Sequence, residues 1–268
     1  MEVERIFIVT HDFTDAAQCA LNQALELSNH LNSKIILLHV ISKESERESA
    51  NNKLNKISSE NTGGNVNVVS EVVKGSIFKT IGNVAEKHNA SAIIMGTHGA
   101  KGMQKVFGSF AMKVIISTKV PFMVVQKDTS VKKLNNICFS IDPNSESMQI
   151  MNLAGNLAKT YNAKIHIIAE KDSDKSNALK IKNNLIVLSK HMKKLNVSYK
   201  LELLDNINTW ENTVIQYAKE NSIDMFAYSY DSDRFLASND KFSQALLFNN
   251  LKIPALILNA KSISSTYF

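Results

Sequence analysis

Short runs of consecutive apolar residues alternate along this chain with stretches whose apolar residues recur every three or four positions. Ile6-Phe7-Ile8-Val9-Thr10 is a β-rich run of the length of a buried strand. Asp12 and Thr14 follow as turn or cap residues. Ala17, Leu21, Ala24, Leu25, Ser28 and Leu31 then mark one face of an amphipathic helix. Lys34 to Val40 predicts a second strand, Ser42 to about Glu60 a polar helical connection, and Val66 to Val73 a third strand ended by Gly75. Ile77, Ile81, Val84 and Ala85 predict another helix, with further strands at Ala92 to Met95 and Pro121 to Val125. Strands alternating with helices predict an α/β fold: a doubly wound parallel sheet, right-handed crossovers and helices on both faces.

The pattern then restarts. Ile137-Cys138-Phe139-Ser140-Ile141-Asp142 echoes Ile6 through Asp12, and Ala163 to Ile168 echoes Ser33 to Leu38. Lys252-Ile253-Pro254 echoes Lys119-Val120-Pro121. The offset is near 130 residues early in the repeat and near 133 late, so small insertions align the two halves. Two tandem α/β domains are therefore expected, at 1–127 and 135–268, with the polar stretch 128–134 as linker.

Composition narrows the setting. With 44% hydrophobic and 21% charged residues among 268, a soluble globular protein is expected. The formal charge of +6 comes from scattered lysines, which solvated helix faces explain better than nucleic-acid binding does. Cys19 and Cys138 are too few and too far apart for a disulfide framework or a zinc site. No run approaches the ~18 apolar residues of a membrane span. Met-Glu-Val-Glu-Arg carries no signal-peptide pattern, so a cytoplasmic protein without a membrane partner is expected.

Candidate chemistry gathers in the first half. Gly96-Thr97-His98-Gly99, eight residues and then Gly108-Ser109 stand between a strand and an amphipathic segment. A glycine-bearing loop feeding a helix N-terminus is the geometry that holds a phosphate through backbone N–H groups. In an open parallel sheet, ligands collect at the carboxyl ends of the strands near the reversal of strand order. Thr10-His11-Asp12, His39-Val40, Gly96 to Gly99 and Gly108-Ser109 all fall there. Each has a plainer reading: Asp12 as a turn residue, His39 as a hydrogen-bonded core histidine, His98 as a solvent-facing loop residue, Gly108-Ser109 as a helix cap. The second copy has Ser229, Ser232, Lys241 and Phe242 where the first has Gly96, Gly99, Gly108 and Ser109, and Glu170 in place of Val40. A β-carbon at such glycines obstructs an anion and penalises positive φ, so the second copy reads as a scaffold that has lost the site. The Walker, dinucleotide-binding, nucleophile-elbow and His-Glu-x-x-His patterns are all missing from the sequence.

The residues from Ile6 to Thr14, Leu37-Leu38-His39-Val40, and Ile94 through Gly108-Ser109 to Pro121 resemble the universal stress protein family, and the whole chain resembles a tandem member of it. The resemblance implies two five-stranded, Rossmann-like sheets in the order 3-2-1-4-5, packed as an intramolecular pseudo-dimer through their last strands. It also implies binding of an adenine nucleotide, ATP with or without Mg²⁺, as a regulatory rather than enzymatic role, and leaves room for a homodimer. On this resemblance Asp12 and Val40 meet the adenine or ribose end of the nucleotide, and Thr10 and His11 are counted among the nucleotide-binding residues. Gly96, Thr97, His98 and Gly99 line the ribose and phosphates; Gly108, Ser109 and the N–H of Phe110 take phosphate oxygens. One departure stands out: the loop from Ala100 to Phe107 has eight residues where the family's binding pattern has nine. A one-residue deletion moves the loop tip or the first helical turn by up to ~3.5 Å. A nucleotide-free interaction module of the same family is the alternative reading.

Overall fold

The computed structural model describes residues 4–29, 31–64, 66–97, 112–231 and 240–260; His98, Gly99, Gly108, Ser109 and Phe110 lie outside them. The chain divides into two compact units, the first ending at Val131 and the second beginning at Lys132.

The first unit runs β1 (Arg5–Thr10), α1 (Asp15–Ser28), β2 (Ser33–Ile41), α2 (Arg47–Asn61), β3 (Val66–Lys74), α3 (Ile77–Lys87), β4 (Ala92–Thr97) and β5 (Phe122–Gln126). Residues 112–115, ahead of β5, are helical. The strands pair in the order β3-β2-β1-β4-β5, every pair parallel. Phe7, Ile8 and Val9 of β1 are all buried, as are Ile93 and Ile94 of β4 and all of β5. These strands are covered on both faces, which is why their sequences are continuously apolar instead of alternating. Helix α1 starts where the Thr14 hydroxyl accepts the Ala17 N–H at 3.4 Å, and it buries Ala16, Ala17, Ala20, Leu21, Ala24 and Leu27. The small residues of that face let its backbone lie close to the sheet.

The second unit repeats the plan: β6 (Asn136–Ile141), α4 (Met151–Tyr161), β7 (Lys164–Glu170), α5 (Lys175–Leu195), β8 (Tyr199–Leu204), α6 (Trp210–Glu220), β9 (Met225–Asp231), α7 (Lys241–Leu247) and β10 (Ala255–Ala260). Its strand order is β10-β9-β6-β7-β8, again all parallel. Asn162 and Asn196 end α4 and α5 in the left-handed conformation that asparagine tolerates well. The first helix of this unit starts later than its counterpart, after a short 3₁₀ turn at Ser145–Met148.

Candidate functional site

The carboxyl ends of β1, β2 and β4 converge on one cavity of about 380 Å³ in the first unit. Strand β1 lies between the other two, with Thr10 opposite Leu38 on one side and Met95 on the other. The strand order reverses at this point, where open α/β sheets bind ligands. Thr10, His11, Asp12, Val40, Gly96 and Thr97, six of the residues singled out in the sequence, all line the cavity. Leu38, Ile77, Ile81, Met95 and Val114 make most of its remaining wall apolar. These were missed because apolar residues at strand ends and helix starts read as core. Ile77 gives the one visible signal, since it is exposed at the first position of α3.

The polar side is built around His11. Its imidazole is buried, and Nδ1 accepts the Phe13 N–H at 3.2 Å. The neutral ring therefore carries its proton on Nε2, which is buried, and the Gln18 side chain lies near enough to favour the charged ring. Burial lowers the His11 pKa, against the opposing pull of Asp12. Burial thus favours the neutral imidazole in the cavity wall. The His11 main-chain carbonyl accepts from His39 Nδ1 at 2.7 Å. His39 is both a hydrogen-bonded histidine, as the plainer reading held, and part of the wall. Asp12 is exposed and turns the chain into α1: its Oδ1 accepts the Thr14 N–H at 3.2 Å and the Thr14 hydroxyl at 2.5 Å.

Phe13 holds φ at +66°, a conformation costly for a bulky residue. Three contacts keep it there. They are the bond to His11, a ring contact with His39 at 4.5 Å between centroids, and Lys53 Nζ 5.5 Å from the ring.

Gly96 needs a different explanation from the one the sequence suggested. Its φ is not in the left-handed region, and it belongs to β4. A Cβ there would overlap the main-chain carbonyl of Ala16 and lie 2.7 Å from Ala17 N. The glycine is required by the close approach of α1 to β4, before any ligand is considered. In the second unit the same position is Ser229, whose hydroxyl accepts the Ile150 N–H at 3.1 Å, ahead of the delayed helix α4. Loss of the glycine thus goes with a shifted helix start.

A second difference closes the corresponding space. Trp210 occupies the first position of α6, as Ile77 does in α3. Its indole N–H donates to the Ser140 hydroxyl at 3.2 Å, and Ser140 is the counterpart of Thr10. An indole therefore bridges two positions that flank the cavity in the first unit. The second unit instead holds a buried polar network. Tyr217 donates to Glu202 at 3.1 Å and His166 Nδ1 lies 2.9 Å from the Tyr217 oxygen. His166 Nε2 faces Asn136 Oδ1 at 3.3 Å. Burial first, then Lys164 and Lys200, lower the His166 pKa.

Among the described residues no cluster of three metal-ligating side chains occurs, and no helix is long and apolar enough to cross a membrane. The sequence model of the universal stress protein family matches residues 4–126. The chain is similar to a universal stress protein from Archaeoglobus fulgidus, with a TM-score of 0.74 at 15% identity, over 95% of this chain and 98% of that one. It is also similar to a Pseudomonas aeruginosa protein named as a candidate universal stress protein, with a TM-score of 0.64 at 14% identity, over 96% and 93%. At these identities the likeness is one of fold. No curated protein sequence matches the chain.

Proposed function

Residues 4–126 belong to the universal stress protein family, and from that premise we propose that the first unit binds one adenine nucleotide, ATP by preference, as a regulatory ligand. The observation that carries this reading is the cavity at the strand-order reversal, where an apolar slot meets the Thr10, His11 and Asp12 turn at the end of β1. Leu38, Val40, Ile77 and Ile81 suit the faces of a purine, and Asp12 suits hydroxyl groups of a ribose. At about 380 Å³ the cavity sits at the low end of small-molecule sites. It suits a nucleoside, with the phosphates directed out past the end of β4 at Thr97. Mg²⁺, where present, would be carried mainly by those phosphates.

The role proposed is binding, not hydrolysis. Asp12, the carboxylate in the wall, is engaged by Thr14 and has the orientation of a turn residue. The second unit, with Trp210 across the corresponding space and Ser229 in place of Gly96, serves as scaffold. The shortened loop from Ala100 to Phe107 favours the second reading, a nucleotide-free interaction module. Isothermal titration of the full chain with ATP and Mg²⁺ separates the two. One site per chain is expected, and a flat titration at millimolar ATP rejects nucleotide binding.

A further inference from the structure

The two units treat their outer sheet edges in opposite ways. In the first unit the outermost strand is β3, and its Gly75 N–H bonds to Ile41 O. N–H and C=O of a strand residue point to the same side, so the odd-numbered residues of β3 face β2 and the even-numbered ones face outward. Those outward groups are plugged by α2 and the residue that follows it. The Thr62 hydroxyl accepts from Val68 N at 3.3 Å, Ser58 and Thr62 donate to Val68 O at 2.6 and 2.9 Å, and Arg47 donates to Val72 O at 2.7 Å.

In the second unit the outermost strand is β8. Ser198 O and Leu204 O accept from β7 and the residue after it, so the even-numbered residues face inward. Tyr199, Leu201 and Leu203 then carry the outward N–H and C=O groups. No side chain among the described residues bonds to them. Leu201 and Leu203 are also 39% and 49% exposed, on the face opposite Glu202 and its Tyr217 contact. An open edge carrying exposed leucines is a template for another strand.

We infer that β8 is a self-pairing edge that takes β8 of a second copy of this chain, antiparallel, about a two-fold axis through Leu201. The sequence Tyr-Lys-Leu-Glu-Leu is self-complementary in that register. Leu201 faces Leu201, and Tyr199 faces Leu203 of the other copy, as hydrogen-bonded pairs using the free backbone groups. Lys200 faces Glu202 twice over, at the non-hydrogen-bonded positions where side chains approach most closely. Any one-residue slip would oppose charged residues to leucines and point the free groups the wrong way.

Sedimentation velocity of the full chain across the micromolar range tests this, with circular dichroism as a check on folding. The wild type is expected to dimerise with rising concentration. Lys200→Glu and Glu202→Lys each place like charges opposite one another twice and are expected to weaken the dimer by about tenfold or more. An equimolar mixture of these two variants restores opposite charges at both positions and is expected to recover dimers. Leu203→Lys, which leaves the Tyr217 contact alone, is expected to weaken association as well. A wild type that stays monomeric, whether or not it takes up an extended peptide, overturns the inference. So do dimers indifferent to all three substitutions, or single variants that do not recover on mixing.

Discussion

Substituting Gly96 by alanine asks whether this glycine serves the fold or a ligand. The added Cβ would overlap the Ala16 carbonyl and stand 2.7 Å from Ala17 N. Reaching an ordinary contact of 3.4 Å requires a retreat of at least 0.7 Å from the nitrogen alone. Both atoms are backbone at the start of α1, so no rotamer change relieves the clash and the helix itself must back off. A radial gap of 0.5–1 Å forfeits roughly a quarter to a half of each dispersion contact. The face affected is the one formed by Ala16, Ala17, Ala20, Leu21, Ala24 and Leu27. Overpacking of this kind costs about 1–3 kcal/mol, and a backbone collision belongs at the upper end, about 3 kcal/mol. For a unit of this size that lowers Tm by about 10 °C. The assay is a thermal melt followed by circular dichroism on protein stripped of nucleotide. Ala16→Gly should not rescue the variant, because the carbonyl that is struck remains. A melting temperature equal to that of the wild type, with loss only of ligand affinity, would refute the packing explanation.

Two further outcomes follow from the same geometry. Ile77→Trp copies the second unit's filling into the first, placing an indole across the cavity toward Thr10; nucleotide titration is expected to show no binding while the melt stays cooperative. Burial lowers the pKa of His11 and of His166 in the folded chain, the first against Asp12 and the second with Lys164 and Lys200 adding to the shift. The unfolded chain then takes up protons first as pH falls, so the stability these neutral rings contribute is present above about pH 6.5 and is lost below it. Melting temperatures measured from neutral to mildly acidic pH should fall over that range, and His166→Gln should flatten the slope.

What the sequence determined was local and repetitive. Short apolar runs and a period of about 3.6 are written into single stretches of chain, so β1 from Arg5 and α3 from Ile77 were legible without any partner. Repetition was equally legible, because homologous stretches carry the same pattern wherever they fold. The topological rule for open sheets also brought Thr10, His11, Asp12, Val40, Gly96 and Thr97 to one place on paper, where the structure has them. Tertiary structure decided the reasons and the differences. Gly96 is glycine because α1 crosses β4 there. The neutral His11 ring is held in one tautomer because the Phe13 N–H occupies its Nδ1. Trp210 closes off what Ile77 leaves open, and β3 is plugged by Arg47, Ser58 and Thr62 while β8 is not. Each of these depends on two segments distant in sequence meeting at contact distance, and hydrophobic periodicity carries no record of which atoms will meet.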